Sequence, residues 1–316
     1  MSDRVGCAAG TTFVNQTIES PSTCLISTRA FAKINLTLDV LGRRPDGYHA
    51  LRSLVIGVDL SDRVACRAAA GGIRLICDDP SLPTDENLVV RAARALADDC
   101  GVDSAVEIIL QKTVPRGAGL GGGSSDAAAS LRVCNELWNL GLDRDALARI
   151  GAKVGSDVPL FCYLPSAIIT GRGEVVTPAP MLWHGFVVLV FTGEFVSTPE
   201  VFAAWRPSDC AGSLENPNVD IAASSTSRDI SEMLFNRLEP AVFRVCPSVA
   251  EAHDTLSQLG MGPVRVSGAG SVLFMLFDEI ESARVAAARI EKRLIGAEVS
   301  VVRAPVEEAP IVCEEN

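Results

Sequence analysis

GAGLGGGSSDAAAS, residues 117–130, decides how the rest of the chain is read. Gly117, Gly119 and Gly122 match the G-x-G-x-x-G spacing of a dinucleotide-binding turn. That turn needs a strand running straight into the first glycine, then a helix, a second strand and an acid about 20 residues on. Here Pro115 and Arg116 separate the preceding apolar run from Gly117, and GLDRDALARIG beyond the first helix has the pattern of another helix. The Walker A pattern fails too, because no lysine precedes Ser124. What remains is a loop whose glycines let backbone N–H groups approach an anion, followed by a helix N-terminus that favours negative charge. Ser124 reads as the N-cap of that helix. Ala127, Leu131, Cys134 and Trp138 form one stripe along it, with Gly141 as its stop.

Working outward, residues 32–40 alternate. Ala32, Ile34, Leu36, Leu38 and Val40 share one face and Lys33, Asn35, Thr37 and Asp39 the other, which predicts a single half-buried strand. Pro45-Asp46-Gly47 follows as a turn. Further strands are expected at 54–60, 64–67, 73–77 and 106–110, helices at 87–100 and 144–154, and a strand pair at 167–170 and 174–177. A second half opens with FVVLVF at Phe186. It continues through a polar connection at 207–230, helices at 231–245 and 248–259, the strand–loop–strand VRVSGAGSVLFMLF, a helix at 280–294 and a strand at 298–302. Strands and helices mix without strict alternation, so an α+β fold is expected, with domains at 29–180 and 181–316. Residues 1–28 read as a disordered extension, with a plastid transit peptide as the alternative.

Bulk properties narrow the function. The net charge is 28 − 39 = −11, which argues against a nucleic-acid or anionic-membrane partner but not against a small anion at a local basic site. No apolar run reaches the ~18 residues of a membrane span. Ten cysteines without a C-x-x-C pair or a Cys/His cluster speak against structural zinc. They read as reduced thiols of a cytoplasmic protein.

Three local features bear on the site. SGAGS, residues 267–271, is either a plain hairpin turn or a second loop closing on the first. In GSDVP, residues 155–159, the proline predicts an extended Val158, and Asp157 either holds a turn or serves the site. Lys33 is one of only four lysines in a chain that otherwise uses arginine, so its place among apolar residues suggests that a compact point charge is wanted.

Together AFAKINLTLDVLGRRPDGYHALRSL, DENLVVRAA, KTVPRGAGLGGGSSDAAA, VGSDVPLFCY and VSGAGSVLF resemble the GHMP kinase superfamily, over about residues 30–277. The pairing of A-K-I-N-L with R-R-x-D-G-Y-H resembles its isoprenoid-precursor branch, whose acceptor is a tertiary alcohol carrying a cytidine diphosphate. The resemblance implies a ribosomal-protein-like β-α domain followed by a ferredoxin-like α/β sandwich. It implies ATP as co-substrate with Mg²⁺, a small cytidyl diphosphate acceptor, and a monomer or weak homodimer. Asp157 matches the catalytic base, Lys33 the lysine paired with it, and Asn35 a substrate-orienting amide. Tyr48 and His49 match the residues that stack on and hydrogen-bond the cytosine, and Phe202 a second aromatic wall. Asn87 and Lys112 align near adenine and ribose. Pro115, Gly117, Gly119, Leu120, Gly121, Gly122, Gly123, Ser124 and Ser125 align with the phosphate loop, and Gly268 and Gly270 with the second loop. The metal ligand is unassigned, with Ser124 and Asp126 nearest. Two positions depart from the pattern: Val55, where an aromatic lining the substrate site is expected, and Asp126, which puts a negative charge close to phosphates where some relatives carry Asn. The rivals are a kinase with another acceptor alcohol and a non-catalytic binding protein of the same fold; retention of both Lys33 and Asp157 argues against the latter.

Overall fold

The computed structural model describes residues 24–102, 105–210 and 218–314. Its spine is β3 (His49–Ala68), a 20-residue strand. β1 (Leu25–Asn35) and β2 (Thr37–Arg43) pair along one edge of it, β5 (Val106–Gln111) and β6 (Ser166–Gly171) along the other. β4 (Ile73–Cys77) adds to β5 and β7 (Val175–Pro178) to β6. The second sheet has four antiparallel strands in the order β10 (Arg265–Val266), β11 (Leu273–Phe277), β8 (Gly185–Phe191), β12 (Glu298–Ala304). Two short strands from the second half return to the first sheet: β9 (Phe235–Asn236) beside β2 and β13 (Val312–Glu314) beside β1.

The period-2 pattern of β3 sets the layers. Val55 faces a core shared with α1 (Leu88–Cys100), α2 (Gly122–Leu137) and α3 (Arg144–Val154). Leu54 and Ile56 face the other way, onto Trp183, Val187, Leu189 and Phe274. The far side of the small sheet packs against α7 (Glu239–Val245), α8 (Pro247–Ser257) and α9 (Ile280–Arg293) through Val188, Met275, Ala286 and Ile290. Each fully buried side chain of this kind contributes roughly 1.5–3 kcal/mol. The site lies where the edge of the helical layer meets the small sheet.

Several expectations are corrected. Residues 32–40 form two strands, because the register on β3 shifts after Leu36. Their polar face is not solvated either: Lys33, Asn35 and Thr37 are buried and hydrogen-bonded. Val55 is fully buried in the helical core, so it lines no substrate wall. Ser124 is not the N-cap of α2; Gly121 holds that position with φ 71°, and the helix starts at Gly122. α2 also ends before Gly141, at Leu137, where Asn135 bonds both backbone groups of Leu142 and closes the connection. The helix expected over 231–245 is broken by β9, since Asn236 bonds the Val266 and Gly268 carbonyls and Pro240 starts a fresh helix. Part of the polar connection is helical, as α5 (Asn218–Ala223) and the start of α6 (Ser227–Met233). β1 begins at Leu25, inside the segment expected to be an extension; residues 1–23 lie outside the described residues. Pairing of β1 with β13 brings the Cα atoms of Cys24 and Cys313 to 6.0 Å, and the two are bonded, so the thiols are not all free.

A buried charge cluster joins these elements. The Lys112 ammonium, just past β5, contacts Asp62 of β3 and lies 2.7 Å from Asp126 of α2. Asp62 Oδ1 also accepts the Thr113 and Val114 N–H groups. Burial alone would lower the Lys112 pKa, but the two carboxylates outweigh it and hold it up. Removing one member leaves uncompensated buried charge, which costs about 3–5 kcal/mol. Lys112→Met is therefore expected to lose about that much stability in urea unfolding, and a loss below about 1 kcal/mol would contradict a structural role for the cluster.

Candidate active site

The glycine loop presents its two backbone faces differently. Gly117, Gly119 and Gly121 have φ of 59°, 74° and 71°, conformations glycine adopts without strain. Between them Ala118 and Leu120 turn inward and are buried. Every carbonyl from residue 117 to 121 is taken by the protein. Gly117 O accepts from Val196 N, Ala118 O from Val272 N, Leu120 O from Lys33 N and Gly121 O from Ser125 N. Gly119 O accepts from both Lys33 Nζ and Ser267 Oγ. Among the described residues, no backbone N–H of residues 117–124 donates to another backbone or side-chain group. The amides are thus free on the cleft side at the N-terminus of α2, the arrangement that binds phosphate. Gly119 cannot be anything else, since a Cβ there would lie 1.9 Å from Ser267 O.

The second loop does close on the first. Ser267 and Val272 bond the Gly119 and Ala118 carbonyls, and Gly268 (φ 59°) approaches so closely that a Cβ would lie 3.1 Å from Lys33 Nζ. It is also a hairpin loop, between β10 and β11.

The Lys33 ammonium is held by two acceptors, one of them itself braced. Its Nζ donates to Gly119 O at 2.5 Å and Asn35 Oδ1 at 2.6 Å, while the Asn35 amide nitrogen donates to Ser53 Oγ at 2.7 Å. Burial brings the ammonium down to about 8, opposed by the attraction of Asp157. Asp157 follows α3 on the turn before the 3₁₀ helix Pro159–Cys162. Val158 in that turn is helical, not extended: its buried side chain packs on Gly151, where a Cβ would come within 2.7 Å, and its N–H bonds Gly155 O. Burial pushes the Asp157 carboxyl up and Lys33 pulls it back. The two groups face each other electrostatically without forming an ion pair among the observed contacts. Two buried, oppositely charged groups on one cleft, each with its pKa drawn toward neutrality, suit proton transfer.

At the other end the chain gathers aromatic rings. Tyr48 stands exposed after the turn of residues 45–47. His49 stacks on Phe202 at 5.2 Å and 22°, and meets Trp205 edge-on at 5.3 Å. Burial, then Arg43, lowers the His49 pKa, so it is neutral at pH 7 and offers one donor and one acceptor.

One cleft of ≈ 1350 Å³ connects these parts. It is larger than a usual single-ligand pocket, so there is room for two ligands. Lys33, Asn35, Tyr48, His49, Asp157, Phe202 and Gly268 line it, as do Asn87, Lys112, Pro115, Gly117, Gly119, Leu120, Gly121, Gly122, Gly123 and Ser124. Asn87 also caps α1 through Val89 N, and the Lys112 ammonium is already engaged by its two carboxylates. Two candidates do not line the cleft. Ser125 turns inward to donate to Phe31 O, and Gly270 packs against Val242 and Val266. Burial pushes the Asp126 carboxyl up to about 8 and Lys112, 2.7 Å away, draws it back, so Asp126 does not set an unopposed charge against the phosphates. Among the described residues its other oxygen, Oδ1, is buried without a hydrogen-bond partner. Among the described residues no three His, Cys, Asp or Glu side chains are grouped to hold a metal ion.

Among the lining residues that were not anticipated are Phe195, Trp205 and Arg172. Trp205, three residues after Phe202 and at the end of α4 (Thr198–Ala204), was readable as an aromatic pair at helical spacing. Arg172, the lone cation between two turn glycines, was readable too. Nothing local marks Phe195, whose ring lies over Gly117 from a distant loop.

Comparison with known proteins agrees with this geometry. Residues 87–164 match the family described as GHMP kinases N terminal domain, and residues 221–295 that described as GHMP kinases C terminal. The chain is 41% identical over 279 residues to a 4-diphosphocytidyl-2-C-methyl-D-erythritol kinase of Pelotomaculum thermopropionicum, covering 85% of this chain and 94% of the relative. It is 42% identical over 267 residues to a kinase of the same name from Geobacter sp., covering 83% and 92%. A crystal structure of 4-(cytidine 5'-diphospho)-2C-methyl-D-erythritol kinase superposes with TM-score 0.73 at 33% identity, over 87% of this chain and 98% of that one. A homoserine kinase from Cytophaga hutchinsonii, 18% identical, gives TM-score 0.72 over 94% and 100% and shows the shared fold alone. The cleft geometry and these likenesses converge: the chain belongs to the 4-diphosphocytidyl-2-C-methyl-D-erythritol kinase family, a branch of the two-domain α+β GHMP kinases.

Proposed function

We propose that this chain transfers the γ-phosphoryl group of ATP to the 2-hydroxyl of 4-diphosphocytidyl-2-C-methyl-D-erythritol, a step of the non-mevalonate route to isoprenoid precursors. The observation that carries the reading is the loop of residues 117–121, whose carbonyls are all tied to the protein, set in one cleft with Lys33, Asp157 and the Tyr48, His49 and Phe202 rings. The free amides hold the nucleotide phosphates. Asp157 takes the proton of the acceptor hydroxyl, and the Lys33 ammonium favours the ionised carboxylate and the charge developing between acceptor and phosphate. Neutral His49 reads a pyrimidine edge while Tyr48 and Phe202 flank its faces, a slot for which mevalonate or homoserine has no use. Asp126 through Oδ1 and Ser124 through its hydroxyl would hold the Mg²⁺ that accompanies ATP, which would supply neutralisation of phosphate charge. The matches on either side of residue 180 support a division there into nucleotide-loop and C-terminal domains. No helix among the described residues is long and apolar enough to cross a membrane. The net charge of −11 supports action on small molecules and not on nucleic acid, and we take the chain to work as a cytoplasmic monomer or weak homodimer.

The direct test is ADP release with MgATP and a panel of acceptors. Turnover of the cytidyl alcohol is expected; turnover of mevalonate or homoserine instead would transfer the chain to another acceptor class, and nucleotide binding without any turnover would make it a sensor. Asp157→Ala is expected to lower kcat by about 10²–10⁴-fold with ATP binding retained, as single-turnover and titration measurements would read; an unchanged kcat would remove Asp157 from the mechanism. Tyr48→Ala is expected to raise the acceptor KM by roughly 5–150-fold, the equivalent of 1–3 kcal/mol of stacking, with little change in kcat. The pH profile carries the lowered Lys33 pKa. The ammonium is charged below about 8 and neutral above it, so kcat/KM is expected to fall on the alkaline side near pH 8. Lys33→Arg is expected to be slower but to lack that alkaline limb; a limb that persists unchanged would assign it to another group.

A further inference from the structure

The tip between β6 and β7 is Gly171-Arg172-Gly173-Glu174, and the mechanism above does not use it. What lies against its two glycines explains both. At Gly171 (φ 73°) a Cβ would come within 2.7 Å of the Glu174 carboxylate, and at Gly173 (φ 112°) within 2.9 Å of Asp157 Oδ1. The room left at Gly171 lets Glu174 accept the Arg172 N–H and stand 3.7 Å from its Nε. Arg172 is thereby aimed across the turn, with its guanidinium carbon 4.9 Å from the centre of the Tyr48 ring. Its backbone adjoins the residue packed on Asp157, its side chain lies on Tyr48, and it lines the cleft between them. An acceptor with its hydroxyl at Asp157 and its pyrimidine at Tyr48 has to carry the linking diphosphate through that interval. Glu174 engages one corner of the guanidinium, so most of its five donors remain for phosphate oxygens.

We propose that Arg172 is a specificity-determining residue for the acceptor, backing the Tyr48 ring on one side and taking the linking diphosphate with its guanidinium. This rests on the kinase reading above. The test compares wild type, Arg172→Lys and Arg172→Met in binding of CDP and of cytidine by calorimetry, and in steady-state kinetics with the cytidyl alcohol. For Arg172→Met we expect CDP binding to weaken about 10-fold or more, cytidine binding to change less than about 3-fold, and the acceptor KM to rise with kcat held within about 3-fold, as loss of one charge-assisted contact implies. Arg172→Lys should recover part of the CDP affinity. Equal weakening of CDP and cytidine would overturn the diphosphate contact and leave only a support for Tyr48. A fall in kcat at unchanged KM would overturn the proposal in favour of a role through Gly173 and Asp157. If wild type binds neither CDP nor cytidine, the proposal falls together with the kinase reading, an outcome distinct from a failure of Arg172 alone.

Discussion

The direction of five carbonyl groups governs this active site. Residues 117–121 turn their carbonyl oxygens onto the protein, where β1, the second loop, the segment before α4 and α2 itself take them. A peptide unit that commits its carbonyl to one side offers its N–H on the other. The alternating left-handed glycines allow this reversal at every second residue, and Ala118 and Leu120 anchor it by burial. Phosphate binding at such a loop would need no loop lysine, in keeping with a sequence that lacks the Walker pattern.

Lys33 links that constraint to the chemistry. Its backbone N–H holds Leu120 O and its ammonium holds Gly119 O, so one β1 residue both shapes the loop and charges the site. Asn35 and Ser53 extend the support to β2 and β3. The depressed Lys33 and raised Asp157 pKa values share one cause, burial, and each group tempers the other. The second cationic centre, Lys112, serves a different end. Its charge is spent on Asp62 and Asp126, so it stitches the start of α2 to the sheet beneath the loop.

Much of this was legible in the sequence where a local pattern matched the physics that finally decided it. α1 and α3 appeared within a residue or two of their periodicity, and the glycine loop and Asp157 turn were identifiable by residue type. What was not legible depends on contacts between distant segments. The polar face of β1 reads as solvated, yet a loop more than 80 residues on covers it. Val158 obeys packing against Gly151 in place of the preference set by the following proline. β9 and β13 are too short for any periodicity, and exist because Asn236 and a terminal segment find partners elsewhere. Ser124 gave up the capping position because the left-handed turn at Gly121 already supplies the entry.

The central claim is that the free amides of residues 117–124 bind the nucleotide phosphates. Assigned amide spectra of isotopically labelled protein, recorded with and without a non-hydrolysable ATP analogue, test it most directly. The account calls for large downfield shifts of those N–H resonances, absent when adenosine replaces the analogue. Unmoved loop amides in a nucleotide-bound protein would contradict it.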